Sequence, residues 1–316
     1  MSNHGFAHRG ILVTNAFLRT EKFTEHYEWL RRAAQTFKME LELMDNAEKI
    51  FCIEDSPHWL EDYDFIVYWD KDIAYGRQLS RYADSHNMKI YNTVDAIAAC
   101  DDKFETYYRL SCWNHAHPDK RIPLLPTIMA PMTYGNIGYT DYRFLQAVED
   151  MLGYPVVVKE CFGSFGQQVY LAQDRQELKH LTEALAGKPF LYQKYAACSH
   201  GRDVRLQVVG DCVVAAMERH AIDGDFRANI TNGGAMKPYL ATAQEQALAV
   251  RVAGILELDF AGVDLLFGEN GLADIVCEVN SNAHFKNICS CTGVDVAEKI
   301  MRHIFCDLQQ NAQGEN

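Results

Sequence analysis

Short apolar runs alternate with amphipathic stretches through the first hundred residues. Strands are predicted at 11–14 (ILVT), 41–44 (LELM), 65–69 (FIVYW) and 89–91 (KIY), with helices at about 21–37 and 72–87. Strands that alternate with helices predict a parallel sheet with crossover helices. Residues 1–93 are therefore expected to form a small α/β domain. No G-x-G-x-x-G sequence follows its first strand, so we do not expect a dinucleotide cofactor there.

The pattern changes after residue 93. A helical stretch runs to about Asn114, and the proline-containing run RIPLLPT (121–127) must be extended. Periodicity and turn residues then predict helices at 141–152, 176–186, 244–257 and 295–308, and strands at 156–158, 167–172 and 189–195. A further strand that carries Asp203 and Arg205 is expected to turn at Gly210-Asp211 and to pair with a strand at 213–219. From Gln309 the chain is expected to fray.

A predicted hairpin near the C-terminus brings three polar residues together. Asp264 lies in one apolar run, and Glu278 and Asn280 lie in the next, with Asn270-Gly271 between them. Asn-Gly between two such runs favours a tight β-hairpin, and residues two apart on a strand face the same side. Their oxygens suit Mg²⁺ beside substrate phosphates. The alternative is two solvated strand ends that carry acids by chance.

A lysine and a glycine loop form a second cluster. The apolar run VVV ends in Lys159, and the turn Gly163-Ser164-Phe165-Gly166 leads into the next strand. A strand ammonium group beside loop N–H groups suits a triphosphate. The P-loop sequence G-x-x-x-x-G-K-[ST] does not occur here. A purely structural lysine beside a glycine turn is the alternative.

Four arginines fall within one segment of an otherwise acidic chain: Arg202, Arg205, Arg219 and Arg227. Asp203 and Arg205 alternate on one face of a predicted strand. Guanidinium groups bind phosphate and carboxylate at two points, so this segment predicts a local anion site. A solvated basic face is the alternative.

The amino-acid composition of the chain restricts the classes of partner that it is expected to bind. The chain has 43 acidic and 30 basic residues and a net charge of -13, which argues against nucleic acid or an anionic membrane as the main partner. No apolar run is long enough to span a bilayer and the first residues lack a secretory pattern, so we expect a cytoplasmic location. Ten cysteines, mostly within apolar runs, indicate buried thiols rather than a disulfide framework. The role of Cys289 and Cys291 stays open.

The order of these features resembles the ATP-grasp superfamily, and most closely the RimK-like carboxylate-amine ligases. The resemblance covers about residues 94–305 and is carried by RDVRLQVVGDCVVAAMERHAIDGDFRAN, AGVDLL, EVNSN and TGVDVAEKI. It implies an α/β chain with an ATP-grasp fold that is α+β in its C-terminal half. Residues 1–93 would be a Rossmann-like domain, 94–190 a central subdomain, 191–310 a C-terminal subdomain with the metal site, and 311–316 a frayed tail.

Carried over by position, the resemblance implies that ATP is the cofactor and that two Mg²⁺ ions, with Mn²⁺ as an alternative, bind Asp264, Glu278 and Asn280. Asp203 would lie at the ribose and Lys194 and Tyr195 at the adenine. Catalytic roles would fall to Lys159, Arg205 and Arg227. The full implied ATP set is Lys103, Lys159, Gly163, Ser164, Phe165, Gly166, Gln193, Lys194, Tyr195, Ala196, Asp203, Arg227, Ala228 and Asn229.

The segment Asn282-Ala283-His284-Phe285 departs from the Ser-Pro-Gly-Leu type of sequence that follows the metal-binding Asn in the family. Smaller departures are Lys194, where glutamate is common, and Asn232 before Gly233. This divergent segment is expected to lie at the mouth of the acceptor site and to read the substrate, which therefore cannot be copied from the relatives. Candidate substrate-contacting residues are Arg219, His220, Asn282 and His284, and the two histidines are candidate proton acceptors for the amine.

The expected activity is an ATP- and Mg²⁺-dependent ligation of a carboxylate to an amine through an acyl phosphate. The partners would be small-molecule or peptide acids and amines, without nucleic acid or membrane. The oligomeric state stays open, with a homo-oligomer among the options. Two alternatives are a synapsin-like ATP-binding regulatory or scaffold protein without ligase turnover, and a small-molecule kinase on the same nucleotide site.

Overall fold

Three β-sheets form the framework of the chain in a computed structural model, which describes residues 7–54, 57–163, 166–222, 224–228 and 234–314. The first sheet contains β1 (His8–Thr14), β2 (Met39–Asp45), β3 (Phe65–Tyr68) and β4 (Lys89–Tyr91). Its order is β2-β1-β3-β4 and all its pairs are parallel. Helices α1 (Glu21–Thr36) and α2 (Ile73–Ser85) connect the strands. The parallel sheet predicted from the alternation of strands and helices is present.

The second sheet is antiparallel and contains β5 (Thr127–Met129), β6 (Val156–Glu160), β7 (Val169–Ala172) and β8 (Phe190–Lys194). Its order is β5-β8-β6-β7. Helices α5 (Phe144–Leu152) and α6 (Arg175–Ala184) pack on it through a core that includes Leu145, Val148 and Leu178. Strand β8 belongs to this sheet, although the sequence analysis began the C-terminal subdomain at residue 191.

The third sheet contains β9 (Arg202–Val209), β10 (Cys212–His220), β11 (Ala235–Pro238), β12 (Phe260–Phe267) and β13 (Ala273–Asn280), in the antiparallel order β11-β10-β9-β12-β13. Helices α3 (Val94–Asp101), α4 (Lys103–Ala116) and α7 (Ala243–Ile255) cover one face. Leu110 of α4 shares a core with Leu248 of α7 and Leu206 of β9. Residues 94–116 thus pack on the C-terminal sheet, although they were assigned to the central subdomain.

Strand β9 divides its side chains between the two faces of this sheet. Val204, Leu206 and Val208 are buried in the core that the helices cover. They alternate with Asp203 and Arg205, because successive residues of a strand face opposite sides of the sheet. One face of the sheet is therefore apolar, and the other carries Asp203 and Arg205 beside apolar residues such as Met217, the register partner of Arg205.

The helix predicted from Val94 to Asn114 is two helices. It breaks at Asp102, whose carboxylate accepts hydrogen bonds from the backbone N–H groups of Phe104 and Glu105 and so begins α4. The sequence analysis also missed β11 and the short helix α8 (Lys286–Thr292).

The last helix, α9 (Val296–Gly314), continues past its predicted end at Leu308. The frayed tail predicted from Gln309 is therefore wrong for residues 309–314. Glutamine and alanine are good helix formers, and the Gln309 Nε2 atom lies 3.1 Å from the His8 Nε2 atom. None of the helices in the described ranges is both long and apolar enough to cross a bilayer.

A buried histidine joins the N-terminal sheet domain to the C-terminal part of the chain. His26 of α1 is 2 % exposed, and its Nε2 atom accepts hydrogen bonds from the backbone N–H groups of Phe285 (3.0 Å) and Lys286 (3.2 Å) at the start of α8. Its Nδ1 atom lies 2.9 Å from the carbonyl oxygen of Lys22. Nε2 can accept only if the ring is neutral. Burial lowers the pKa of His26 to about 4.

We expect His26 to make stability depend on pH. Its pKa is about 4 in the folded chain and near 6.5 when unfolded, so between these values the unfolded chain binds a proton that the folded chain does not. Above pH 6.5 the neutral His26 ring contributes its full stabilisation of the fold, on the order of 3 kcal/mol. This stabilisation is lost as the pH falls toward 4. Urea unfolding of the wild type and His26→Gln should show a stability gap that narrows from about pH 7 to about pH 4.5. A gap independent of pH would contradict this account.

Candidate active site

Two adjoining clefts lie along the face of the C-terminal sheet that carries Asp203 and Arg205. The first, of about 880 Å³, lies between this sheet and the central sheet. The second, of about 1320 Å³, lies between the C-terminal sheet and the end of the N-terminal sheet. Gly166, Arg219 and Glu278 line both clefts. A molecule in one cleft can therefore reach a molecule in the other.

The first cleft collects the described members of the predicted nucleotide-binding set. Ser164, Phe165 and Asn229 lie outside the described residues, as do Asn232 and Gly233. The predicted residues that line the cleft are Lys103, Lys159, Gly163, Gly166, Gln193, Lys194, Tyr195, Ala196, Asp203, Arg227 and Ala228.

Two cationic side chains donate hydrogen bonds to Gly163 and Gly166, the residues of the glycine loop that the structure describes. The Lys103 Nζ atom donates to the carbonyl oxygen of Gly163 at 3.1 Å and lies 3.6 Å from Glu278 Oε1. The Arg227 Nη1 atom donates to the carbonyl oxygen of Gly166 at 2.9 Å. These contacts place two cationic groups beside the loop, where both can donate to an anionic ligand, and Arg227 is also paired with Asp225 at 2.8 Å.

Lys159 is buried at the base of the first cleft. It is 7 % exposed, and its Nζ atom lies 3.9 Å from the Sγ atom of Cys277. Burial raises the pKa of the Cys277 thiol to about 11, against the effect of Lys159, so the thiol is neutral near physiological pH. A neutral thiol does not neutralise the ammonium charge, which is available to an anion in the cleft.

Apolar side chains complete the first cleft, and the sequence analysis did not identify them. They come from separate strands and loops, so no local motif could reveal that they meet. Together with the cations they make a cleft suited to a ligand that has a flat apolar ring and a polyanionic tail. These residues are Leu125, Val157, Val169, Phe226, Leu266 and Cys277.

Two arginines and two aspartates form a buried charge network between the clefts. The Arg219 side chain donates to both carboxylate oxygens of Asp203, at 2.6 and 2.8 Å, and its Nη2 atom lies 3.0 Å from Asp264 Oδ2. Arg205 donates to both oxygens of Asp264, at 2.7 and 2.6 Å. Strand register explains the network, because Asp203 lies opposite Arg219 and Arg205 lies opposite Asp264.

The network sets the charge of its members. Burial disfavours the charged form of Asp264, but Arg205 and Arg219 together hold the pKa of that carboxyl below its usual value. Burial raises the pKa of Asp203, with Arg219 opposing it. Asp203 thus anchors Arg219, and each of its oxygens already accepts a hydrogen bond from that arginine. A ribose hydroxyl at the predicted contact would have to share an oxygen with Arg219.

The predicted metal ligands lie together on the hairpin of β12 and β13. Asp264 and Glu278 are register partners, and Asn280 lies opposite Gly262. The Asn280 Nδ2 atom is buried without a hydrogen-bond partner among the described residues. A carboxylate offers about four lone-pair sites, and arginine N–H groups occupy three at Asp264. The set therefore fits an oxygen-preferring cation. The oxygen atoms of Glu278 and Asn280 accept fewer hydrogen bonds from arginines than those of Asp264 and are more available to such a cation.

Within the described part of the chain, no three or more His, Cys, Asp and Glu side chains are grouped so that they could hold a metal ion. The predicted set does not conflict with this result, because it has two carboxylates and takes its third ligand from the amide of Asn280.

The second cleft has walls from both ends of the chain. The predicted residues Arg205, Arg219, Asn282 and His284 line it. The sequence analysis found no motif in residues 1–93, yet loops at the carboxyl ends of β1 and β3 open into this cleft, the usual place for a ligand on a parallel sheet. The N-terminal residues that line it are Leu18, Lys22, Phe23, Tyr27, Trp69, Asp70 and Lys71.

Two expectations about the substrate region are wrong. His220 lines neither cleft, because it follows Arg219 on β10 and so faces the other side of the sheet, with its Nε2 atom 3.0 Å from Glu218 Oε1. Phe285, the last residue of the divergent segment, is fully buried against Trp29 and Trp69. It belongs to the core and not to the mouth of the acceptor site.

His284 lies in the second cleft but is poorly suited to accept a proton. Its ring packs edge-on against Phe23 (4.9 Å between centroids) and His26 (4.6 Å). Burial, with His26 adding to the effect, lowers the pKa of His284 to about 3. A base this weak takes little of the proton from an attacking amine at neutral pH.

The fold is that of an ATP-grasp protein. The RimK-like ATP-grasp domain matches residues 128–304, which is more than half of the chain. The chain belongs to this family.

The chain is similar to two curated proteins. It is 35 % identical over 229 residues to beta-citrylglutamate synthase B of Danio rerio, covering 72 % of this chain and 52 % of that protein. It is 33 % identical over 247 residues to N-acetylaspartylglutamate synthase A of Homo sapiens, covering 78 % and 59 %. The chain thus spans between half and three fifths of the length of these relatives.

A solved structure shows the same fold. The ATP-grasp ligase PsnB, complexed with a phosphomimetic variant of its minimal precursor, Mg and ADP, superposes with a TM-score of 0.67. The match covers 96 % of this chain and 99 % of that one at 14 % identity. The likeness therefore concerns the fold alone.

Replacing Arg219 with methionine should destabilise the fold. The substitution leaves Asp203 and Asp264 buried without the guanidinium group between them, which should cost about 3–5 kcal/mol. Arg302→Gln is the control, because it breaks a surface pair with Glu298 at a side chain that is 58 % exposed and should cost less than about 1 kcal/mol. Urea unfolding at neutral pH measures both. Equal costs for the two variants would show that the network does not stabilise the sheet.

Proposed function

We propose that this chain uses ATP with Mg²⁺ to join a carboxylate to an amine, with nucleotide in the first cleft and the joined substrates in the second. The continuity of the clefts at Gly166, Arg219 and Glu278 carries this proposal. A phosphoryl group must pass from one ligand to the other without meeting water, and adjoining clefts with a charged junction provide that path.

The first cleft suits ATP in both of its parts. Its apolar walls accept the adenine, and Tyr195 and Ala196 follow the end of β8 beside them. Lys103, Lys159 and Arg227 would face the phosphates, where their charges offset the negative charge of the triphosphate.

Glu278 and Asn280, with the remaining lone pair of Asp264, would hold Mg²⁺; two ions, with Mn²⁺ as an alternative, are part of this proposal. The metal would neutralise phosphate charge and fix the γ-phosphate in place. Glu278 lines both clefts, so its carboxylate lies where the two ligands would meet.

The second cleft would hold the acid and the amine. The carboxylate of the acid attacks the γ-phosphorus, ADP leaves, and an acyl phosphate results. The amine nitrogen then attacks the acyl carbon, and phosphate leaves with the electron pair of the broken C–O bond. Arg205, held by Asp264 through two hydrogen bonds, would face the acyl phosphate with a fixed orientation that costs no reorganisation.

The names of the relatives support an acid and an amino acid as substrates, since both name a conjugate of glutamate with another acid. We propose a small-molecule or peptide acid and amine as the partners, and a cytoplasmic location. Incubation with ATP, Mg²⁺, the standard amino acids, citrate and N-acetylaspartate should give ADP, phosphate and an amide, identified by mass. A phosphorylated metabolite would indicate a kinase, and ATP binding without turnover would indicate a regulatory protein.

Glu278→Gln should lower this turnover by at least about 100-fold, because a direct metal ligand should matter at least as much as the groups that orient such ligands. Glu269→Gln is the control, since Glu269 is an exposed carboxylate in the turn of the same hairpin. ADP release at saturating Mg²⁺ measures both variants, and circular dichroism checks their folding. Full activity of folded Glu278→Gln would exclude Glu278 as a metal ligand.

A further inference from the structure

A buried carboxylate stands on the wall that the N-terminal sheet gives to the second cleft. Asp70 follows β3 and is 7 % exposed. The side chain of Asn15, which follows β1, donates to both of its oxygens at 3.4 and 3.2 Å, and the backbone N–H of Lys71 donates to Oδ1 at 2.7 Å. These hydrogen bonds fix the position of the Asp70 carboxylate in the second cleft.

Asp70 also contacts the divergent segment, which lies beside it in the lining of the second cleft. The Asn282 Nδ2 atom donates to the backbone carbonyl oxygen of Asp70 at 3.3 Å. The junction of the two halves of the chain therefore holds Asp70 in place, on the same side as the segment expected to read the substrate.

No ion pair with a lysine or arginine forms at Asp70 among the described residues, and the neighbouring ammonium group of Lys71 pairs with Asp101 at 2.6 Å instead. A buried carboxylate without a cationic partner is costly to keep charged. Burial accordingly raises the pKa of Asp70. A substrate that brings a positive charge into the cleft would remove this cost.

The proposed reaction supplies such a charge. The amine reaches the protein as an ammonium ion and must lose a proton before or as its nitrogen attacks. The two histidines expected to accept that proton do not suit the task, because His220 faces away and the pKa of His284 is about 3. Two carboxylates, Asp70 and Glu278, line the second cleft in the described part of the chain, and Asp70 is the one without a proposed role in binding metal.

We propose that Asp70 receives the ammonium group of the amine substrate and accepts the proton that this nitrogen must lose before it attacks the acyl phosphate. The inference rests on the proposed ligase function. The ammonium group gives one proton to Asp70, which frees the lone pair of the nitrogen. The N–C bond then forms as the C–O bond to phosphate breaks, phosphate leaves with that electron pair and accepts the second proton of the nitrogen, and Asp70 releases its proton to solvent.

Other titratable groups surround Asp70, and their charges affect the pH at which its carboxylate is protonated. Asp72 adds negative charge on the same segment, and Asp70 in turn contributes to the raised pKa values of Tyr27 and Tyr68. The remaining charged or titratable groups that line the second cleft are Lys22, Lys71, Arg205, Arg219, Glu278 and His284.

Asp70→Asn tests the proposal, with hydroxylamine as a second acceptor in the same mixture of ATP, Mg²⁺, amino acids, citrate and N-acetylaspartate. Hydroxylamine is largely uncharged at neutral pH, so it needs neither an ammonium site nor an acceptor for the proton that an ammonium ion must lose before its nitrogen can attack. At neutral pH we expect Asp70→Asn to lose about 100-fold in amide formation and to keep hydroxamate formation within about 2-fold. The deficit should shrink as the pH is raised, because more of the amine becomes neutral.

Asp72→Asn is the matched control. Asp72 caps α2 through a hydrogen bond from the backbone N–H of Tyr75, and asparagine caps helices as well as aspartate does. This variant should form hydroxamate like the wild type and keep amide formation within about 2-fold at neutral pH, because Asp72 is a smaller cause of the raised pKa of Asp70 than burial. Hydroxamate formation also shows that Asp70→Asn is folded and binds ATP.

The outcomes separate this inference from the proposed function. Equal losses of amide and hydroxamate in Asp70→Asn, or no loss of either, would overturn the role of Asp70. A deficit that does not change with pH would also overturn its role as proton acceptor. If the wild type forms hydroxamate but no amide, the proposed amine site at Asp70 is refuted, whereas the proposed formation of an acyl phosphate is supported. A wild type that forms neither would refute the ligase function itself.

Discussion

The buried pairs of Arg219 with Asp203 and of Arg205 with Asp264 are the constraint on which both clefts depend. Four charges without water are stable only when each is paired, so their strands must keep one register. Asp203 and Arg219 of this network line the first cleft, and Arg205 and Arg219 line the second. The same bonds that hold the sheet together therefore form the boundary at which the two clefts meet.

Much of this arrangement could be predicted from the sequence because it is determined by patterns of neighbouring residues. The Asn270-Gly271 turn predicted the hairpin, and its register brings Asp264 opposite Glu278. Alternation along β9 placed Asp203 and Arg205 on one face. The parallel N-terminal sheet followed from the order of apolar runs. In each case the signal lies within a few neighbouring residues, where the backbone geometry leaves few options.

The rest depends on contacts between distant segments, which no local pattern reports. The break at Asp102 needs the capping role of one side chain, and the packing of α3 and α4 on the C-terminal sheet needs the shared core. His220 was assigned to the substrate region, yet strand alternation turns it away from both clefts. The N-terminal wall of the second cleft was missed because Asp70 and Trp69 belong to no motif and meet the cleft only in the folded chain.

The two clefts draw on different stretches of the chain. Every described residue that lines the first cleft lies between Lys103 and Glu278, whereas the second cleft also takes side chains from α1 and from the end of β3. Changes in the N-terminal segment can thus reshape one wall of the second cleft without touching a residue that lines the first. Under the proposed function, a family built on this plan can acquire new acids and amines by varying its first domain while the proposed phosphoryl transfer stays as it was.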